Sequence, residues 1–116
     1  MKHIEENEQI KLFDWARHIK ALRWMYAVPN GGRRNIREAA RLKRQGVKAG
    51  VADIHLPYPM PPYHGLFIEL KRHIGTATVT DKQQEFLQDM ELKGYKVAVC
   101  RGFEEARATI VEYMKL

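Results

Sequence analysis

The chain has 116 residues, 45% of them apolar and 29% charged, which is typical of one soluble domain, here spanning residues 1–116. No apolar run approaches the roughly 18 residues of a membrane span, and the start, MKHIEENEQ, lacks the apolar core of a secretory signal. The single cysteine, Cys100, excludes an internal disulfide and favours a reducing compartment.

The formal net charge of +6 is concentrated in one short segment. Residues 33–48 carry seven cations and one acid, so their net charge equals that of the whole chain. A localised basic excess is typical of proteins that bind a polyanion, although the solvated face of a helix can have the same composition.

The first predicted element is a helix from about residue 5 to residue 25. Its apolar residues recur along one stripe at helical spacing, at Leu12, Trp15, Ala16, Ile19 and Leu22. One turn earlier this stripe reaches Glu8, so we expect that carboxylate near the buried side of the helix. Alternatively, Glu8 is an N-terminal acid that complements the helix dipole.

A short strand, a turn and a basic helix follow. Residues 26–32, YAVPNGG, predict a strand that ends at Pro29, with Asn30 and two glycines forming a tight turn or a close approach to a phosphate. The second helix is predicted over residues 35–45, with Gly46 after its end. Its cations form one stripe opposite an apolar side. We expect a nucleic-acid surface made of this stripe and the preceding turn: Asn30, Arg33, Arg34, Arg37, Arg41, Arg44 and Lys48.

The next two strands carry charged side chains on one face. In VADIHLP, residues 51–57, alternation places Ala52, Ile54 and Leu56 on one face and Val51, Asp53 and His55 on the other. In GLFIELK, residues 65–71, it separates Leu66, Ile68 and Leu70 from Phe67, Glu69 and Lys71. A proline-rich loop joins the strands, which predicts an antiparallel hairpin. Pairing of position 53 with position 69 would place the two carboxylates about 4.5–5.5 Å apart at their Cβ atoms.

Two carboxylates at that separation repel each other unless a cation lies between them. Lys71 cannot neutralise both, whereas Mg²⁺ can, since it binds carboxylate and carbonyl oxygens, with the Leu70 carbonyl as a further ligand. Such an ion would polarise a phosphodiester, and Lys71 could orient or deprotonate the attacking water. An exposed, salt-bridged edge strand would explain the same residues without any chemistry.

The remaining elements complete an α/β pattern. A third helix begins after Thr80 as its N-cap and ends before Gly94, a strand covers YKVAVC, and a last helix starts at residue 102. The order is helix, strand, helix, strand, strand, helix, strand, helix. It predicts a mixed central sheet of about four strands flanked by helices.

Asp53 together with ELK at residues 69–71 matches the signature of the PD-(D/E)XK nuclease superfamily. More specifically, the chain resembles the VRR-NUC domain family in six segments, which follow in order: EQIKLFDWA (8–16), VPNGGRR (28–34), EAARLKRQGVKAGVAD (38–53), YHGLFIELKR (63–72), TDKQQEFL (80–87) and GYKVAVCRGFEEA (94–106). The resemblance implies a restriction-endonuclease-like core and metal-dependent phosphodiester hydrolysis with Mg²⁺, for which Mn²⁺ can substitute.

The resemblance also implies roles for single residues. Asp53 and Glu69 would bind the metal, Lys71 would be catalytic, and Glu8 would be an accessory acid of the metal site. Gln83 matches a glutamine of the family near the site. The chain departs from many members at Ala52, where they have a proline; that position shapes the backbone and is not a ligand.

The chain resembles the stand-alone members found in phages and bacteria. These imply a homodimeric four-way (Holliday) junction resolvase of DNA repair and recombination, in the cytoplasm of a bacterium or a phage-infected cell. Symmetric cutting of two strands requires two sites related by a two-fold axis. The alternatives are a nuclease for flaps or other branched DNA, a catalytically silent nucleic-acid-binding module, and an interaction protein whose basic helix binds an acidic partner.

Overall fold

The computed structural model describes residues 2–29, 35–73, 75 and 77–116. Within these residues the helices and strands follow the predicted order: α1 (Lys2–Ala16), β1 (Tyr26–Ala27), α2 (Ile36–Arg44), β2 (Ile54–Leu56), β3 (Leu66–Lys71), α3 (Asp81–Leu92), β4 (Lys96–Arg101) and α4 (Gly102–Met114). A short 3-10 helix, Lys20–Leu22, lies between α1 and β1. None of the helices in these segments is long and apolar enough to span a membrane.

The strands form one mixed sheet in the order β1-β2-β3-β4. β1 and β2 pair antiparallel, as do β2 and β3, whereas β3 and β4 run parallel because α3 connects them. The predicted α/β fold, with its mixed sheet of four strands and its hairpin, is therefore confirmed.

The two faces of the sheet bury different clusters. On one face, α1 and α4 cover the main core, which includes Leu12, Ile54, Ile68 and Ile110, all fully buried. On the other face, α3 contributes Leu87 to a smaller cluster with Phe67 and Ala52. The alternation in β3 thus separates Ile68, under α1 and α4, from Phe67 and Glu69, which lie on the α3 face.

The first helix is shorter than predicted. It ends at Ala16 rather than near Met25, because the backbone tightens into bonds of the i to i−3 type, such as Ile19 N–H to the Ala16 carbonyl (2.9 Å). The apolar stripe nevertheless continues into the core, since the 3-10 helix carries Leu22 to a buried position with 2% exposure.

The prediction for the start of β2 was partly wrong. β2 begins at Ile54, so regular alternation does not extend back to Ala52. Ala52 packs with Phe67 and Leu87 on the α3 face, opposite to the face that contains Ile54.

The basic helix α2 begins and ends as predicted but lies on the surface. Asn35 is its N-cap and accepts a hydrogen bond from Glu38 N–H at 2.7 Å, and Gly46 follows the helix at a φ of +104°. None of its residues is buried, and Ile36 is 89% exposed. The predicted apolar side is therefore not buried in the core. Lys48 lies beyond Gly46, so it does not continue the helical stripe as predicted.

Candidate metal centre

The hairpin register brings the two predicted metal ligands together. Ile54 pairs with Ile68 across β2 and β3, and at this end of the hairpin the Asp53 carboxylate, just before β2, lies close enough to Glu69 to raise the pKa of Glu69. Two backbone N–H groups, from β3 and from the residue after β1, hold Asp53 in place. The Leu70 N–H donates to Asp53 Oδ2, and the Val28 N–H donates to the Asp53 carbonyl, each at 2.7 Å. We call Asp53 and Glu69 the carboxylate pair.

Glu69 lies in an environment that disfavours its negative charge. Glu69 is buried, with 2% exposure. Burial, followed by the neighbouring Asp53 carboxylate, raises the pKa of Glu69 to about 8, although Lys71 acts in the opposite direction. Its Oε1 is buried without a hydrogen-bond partner among the described residues. A buried acceptor of this kind is costly unless a cation or donor reaches it.

The carboxylate pair fits a hard divalent cation. Two carboxyl groups converge from adjacent strands, and one of their buried oxygens has a free coordination position. Mg²⁺ commonly takes one or two protein carboxylates and completes its shell with water and substrate oxygens. Within residues 2–29, 35–73, 75 and 77–116, no cluster of three or more His, Cys, Asp or Glu side chains could hold a metal. Among the described residues, the carboxylates brought together here are thus those of Asp53 and Glu69.

Lys71 lies beside this pair at the end of β3. It is 9% exposed, and its Nζ is 3.4 Å from Glu69 Oε2. The same Nζ donates to Gln83 Oε1 at 3.1 Å, while Gln83 Nε2 donates to Glu69 Oε2 at 2.9 Å. The three side chains thus form a closed set of contacts that fixes the amine next to the carboxylate.

Gln83 is also part of the start of α3. The Thr80 hydroxyl accepts from Gln83 N–H at 3.2 Å, and the Thr80 N–H donates to Gln83 Oε1 at 2.9 Å, which together form a capping box. Only the family resemblance had indicated Gln83. Its T-x-x-Q spacing from Thr80 is itself a sequence signal for this capping box.

Glu8 lies at the same end of the sheet but in a different set of contacts. Its Oε1 accepts from Phe103 N–H at 2.8 Å, near the start of α4, and Lys11 Nζ lies 3.2 Å from its Oε2. The bond from the Phe103 backbone, the largest effect, lowers the pKa of Glu8. Glu8 is buried as predicted, with 8% exposure, but it serves the first turn of α4 rather than the dipole of its own helix. Its role as an accessory acid of the metal site stays a prediction, as does the Leu70 carbonyl as a ligand.

The predicted nucleic-acid surface is described only in part. Arg37, Arg41 and Arg44 lie exposed on α2, and Lys48 is exposed after it. Asn30, Arg33 and Arg34 lie outside the described residues. Between α2 and α3 runs a groove of about 960 Å³, whose lining includes Lys48 and Gln83. The groove therefore connects the basic helix with the side chain that holds Lys71.

Comparisons with known proteins agree with this geometry. A family model described as the VRR-NUC domain matches residues 2–104. A solved structure described as a "VRR_NUC domain protein" superposes with a TM-score of 0.84 at 30% identity, covering 97% of this chain and 89% of that one. No curated protein matches the chain.

Proposed function

Because this chain belongs to the VRR-NUC domain family, a family of nuclease domains, we propose that it is a divalent-metal-dependent endonuclease that hydrolyses phosphodiester bonds in branched DNA. The observation that carries the proposal is the carboxylate pair, with a Glu69 oxygen that has no hydrogen-bond partner in the described part of the chain and with Lys71 Nζ 3.4 Å from the other Glu69 oxygen. A surface ion pair would be exposed and screened by solvent, whereas Glu69 and Lys71 are buried and Gln83, which contacts both, lines the groove between α2 and α3.

The carboxylate pair would hold Mg²⁺ or Mn²⁺, with the Leu70 carbonyl as a further ligand. When bound, the ion polarises the scissile phosphate and makes a bound water more acidic. Asp53 is oriented for this task by the Leu70 N–H, and Glu69 by the Gln83 amide. Ionisation of Glu69 in its buried position depends on a positive charge close to it.

Lys71 and Gln83 supply positioning and charge. The Lys71 amine is held between Glu69 and Gln83, where it can orient the attacking water and stabilise negative charge that develops on the phosphate oxygens. Gln83 is a positioning residue, because it contacts both catalytic side chains and is itself fixed by the capping box.

The proposed substrate is a four-way DNA junction that a homodimer cuts. Arg37, Arg41 and Arg44 present exposed guanidinium groups on one side of α2, which suits contacts with backbone phosphates rather than with bases. One subunit carries one carboxylate pair among its described residues, and two opposed strands of a junction require two sites related by a two-fold axis.

The test is cleavage of end-labelled four-way junction, flap and linear duplex, with Mg²⁺, with Mn²⁺ and with EDTA. We expect metal-dependent cleavage with preference for the junction. Asp53→Asn and Lys71→Ala should bind the junction like the original chain but fail to cut it. Sedimentation should show a dimer at the protein concentrations used.

Lys96→Ala is the matched control for loss of an amine, because Lys96 is exposed at the opposite end of the parallel strand pair. Cleavage should be unchanged in this variant. Full activity of Asp53→Asn would contradict the assigned metal site. Binding without cleavage in any metal would instead identify a silent binding module, and preference for flaps or a monomer in solution would contradict junction resolution.

A further inference from the structure

A row of aromatic rings crosses three strands on the α3 face. Tyr26 of β1 pairs with His55 of β2, and His55 pairs with Phe67 of β3. The His55 ring stacks on Phe67 with centroids 4.3 Å apart and planes at 11°, and Tyr26 meets His55 edge to face at 5.3 Å. We call these three residues the ring row.

The ring row runs directly beside the carboxylate pair. His55 is two residues after Asp53, and Phe67 is two residues before Glu69, so the two rows are successive rungs on the same face. Diagonal neighbours of this kind in an antiparallel pair lie about 7–8 Å apart. Tyr26 of β1 pairs with His55, and the Val28 N–H bonds the Asp53 carbonyl, so Tyr26 is a diagonal neighbour of Asp53 on the adjoining strand.

The Tyr26 ring is fixed in position but open to solvent. Its hydroxyl and His55 Nδ1 are 2.7 Å apart, in a hydrogen bond, and Phe67 is in turn held edge to face by Phe86 of α3 at 5.1 Å. Tyr26 is nevertheless 49% exposed, since it lies at the outer end of the row on the edge strand β1. A fixed ring loses little conformational entropy when a flat ligand stacks on it.

The chain just before Tyr26 carries a second exposed ring and a positive charge. Trp24 is 69% exposed, and the Arg23 guanidinium lies 5.0 Å from its ring centroid. Aromatic rings next to cations are the combination that binds unpaired bases and their phosphates. Charge and ring chemistry thus favour a nucleobase over an apolar peptide as the ligand.

We propose that Tyr26 stacks an unpaired nucleobase next to the scissile phosphate. This inference rests on the proposed function, since it assumes a phosphodiester at the carboxylate pair. A base inside an intact duplex is already stacked on both sides and cannot reach the ring, whereas a base at a junction or in a single strand can. The ring row would therefore contribute to selectivity for branched DNA, in addition to the shape of the dimer.

The experiment measures binding without chemistry, in EDTA, with two probes of equal length. One is a single-stranded oligonucleotide that contains one fluorescent 2-aminopurine, and the other is a fully paired duplex. Stacking on an aromatic side chain contributes about 1–3 kcal/mol per base, so Tyr26→Ala should weaken single-strand binding by roughly 5- to 150-fold. Tyr26→Phe, which keeps the ring, should stay within a factor of about two, and duplex binding should change little in either variant.

Tyr58→Ala is the matched control, because Tyr58 is exposed to a similar degree (40%) but lies in the proline-rich loop. It should bind both probes normally. Thermal melts should show that both alanine variants are folded. The inference gains direct support if 2-aminopurine fluorescence is quenched by the original chain and by Tyr26→Phe but not by Tyr26→Ala.

Two results would overturn this inference but not the proposed function. The first is single-strand binding by Tyr26→Ala as tight as that of the original chain. The second is the same loss of binding in Tyr26→Phe as in Tyr26→Ala, which would assign the effect to the hydroxyl. Either could occur while metal-dependent cleavage persists, so the proposed function would survive. Failure of the original chain to bind either probe or to cut any DNA would overturn both.

Discussion

Replacing Glu69 with glutamine should stabilise the metal-free protein, and increasingly so as the pH rises. The unfolded glutamate ionises at its ordinary pKa of 4.5, whereas burial and Asp53 raise the pKa of the folded group to about 8. Between these values the folded state binds more protons than the unfolded state. The free energy of unfolding therefore falls as the pH rises through that window.

At 1.36 kcal/mol per pH unit, this single group should remove roughly 3–4 kcal/mol of stability between pH 5 and pH 8. For a domain of this size that corresponds to a fall in Tm of roughly 10–20 °C. Glu69→Gln has almost the same shape and cannot ionise, so its Tm should lack this fall. The gap between the two proteins should widen steadily with pH.

The assay is thermal denaturation followed by circular dichroism from pH 5 to pH 8 in EDTA. It is repeated with Mg²⁺, which should stabilise the original chain by about 2.7 kcal/mol at a hundred times the dissociation constant, but not Glu69→Gln. Glu112→Gln, at an exposed position on α4, controls for loss of a carboxylate. Parallel curves for the original chain and Glu69→Gln throughout the range in EDTA would refute the reasoning.

Two further predictions concern residues away from the carboxylate pair. Arg37→Ala should weaken junction binding and reduce the slope of log K against log salt by about 0.9, as expected for one lost phosphate contact, whereas Arg107→Ala on α4 should not. Titrations at several salt concentrations check this, and an unchanged slope would remove Arg37 from the interface. Glu8→Gln should reduce the loss of stability in acid: the Phe103 backbone bond lowers the pKa of Glu8, so its stabilisation is present above pH 4.5 and is lost as the pH falls through the folded value. Urea denaturation from pH 3 to pH 6 measures this. The same fall in the free energy of unfolding at low pH in both proteins would contradict the prediction.

The carboxylate pair could be predicted from sequence because it depends on local rules. Alternation within two short segments fixed which side chains share a face, and a connecting loop too short for a crossover required an antiparallel pairing. The register of Ile54 with Ile68 then brings the start of β2 beside Glu69, and the Asp53 carboxylate there raises the pKa of Glu69.

Other features of the site depend on contacts between distant segments. Glu8 meets the backbone of Phe103, 95 residues away, and no local pattern indicates that pairing. The ring row depends on the register between β1 and β2, which are separated by the whole of α2. Ala52 was assigned to the wrong face because alternation is a property of a regular strand, and the chain bends before Ile54.

The two-sided sheet has an evolutionary consequence. The hydrophobic side chains under α1 and α4 hold the scaffold together, whereas Asp53, Glu69 and Lys71 lie on the opposite side and do not belong to that cluster. Under the proposed function, substitutions at these three positions that abolish cutting should therefore leave this hydrophobic cluster unchanged. Such a variant would remain folded and could still bind DNA, so selection could act on DNA binding and on cutting separately.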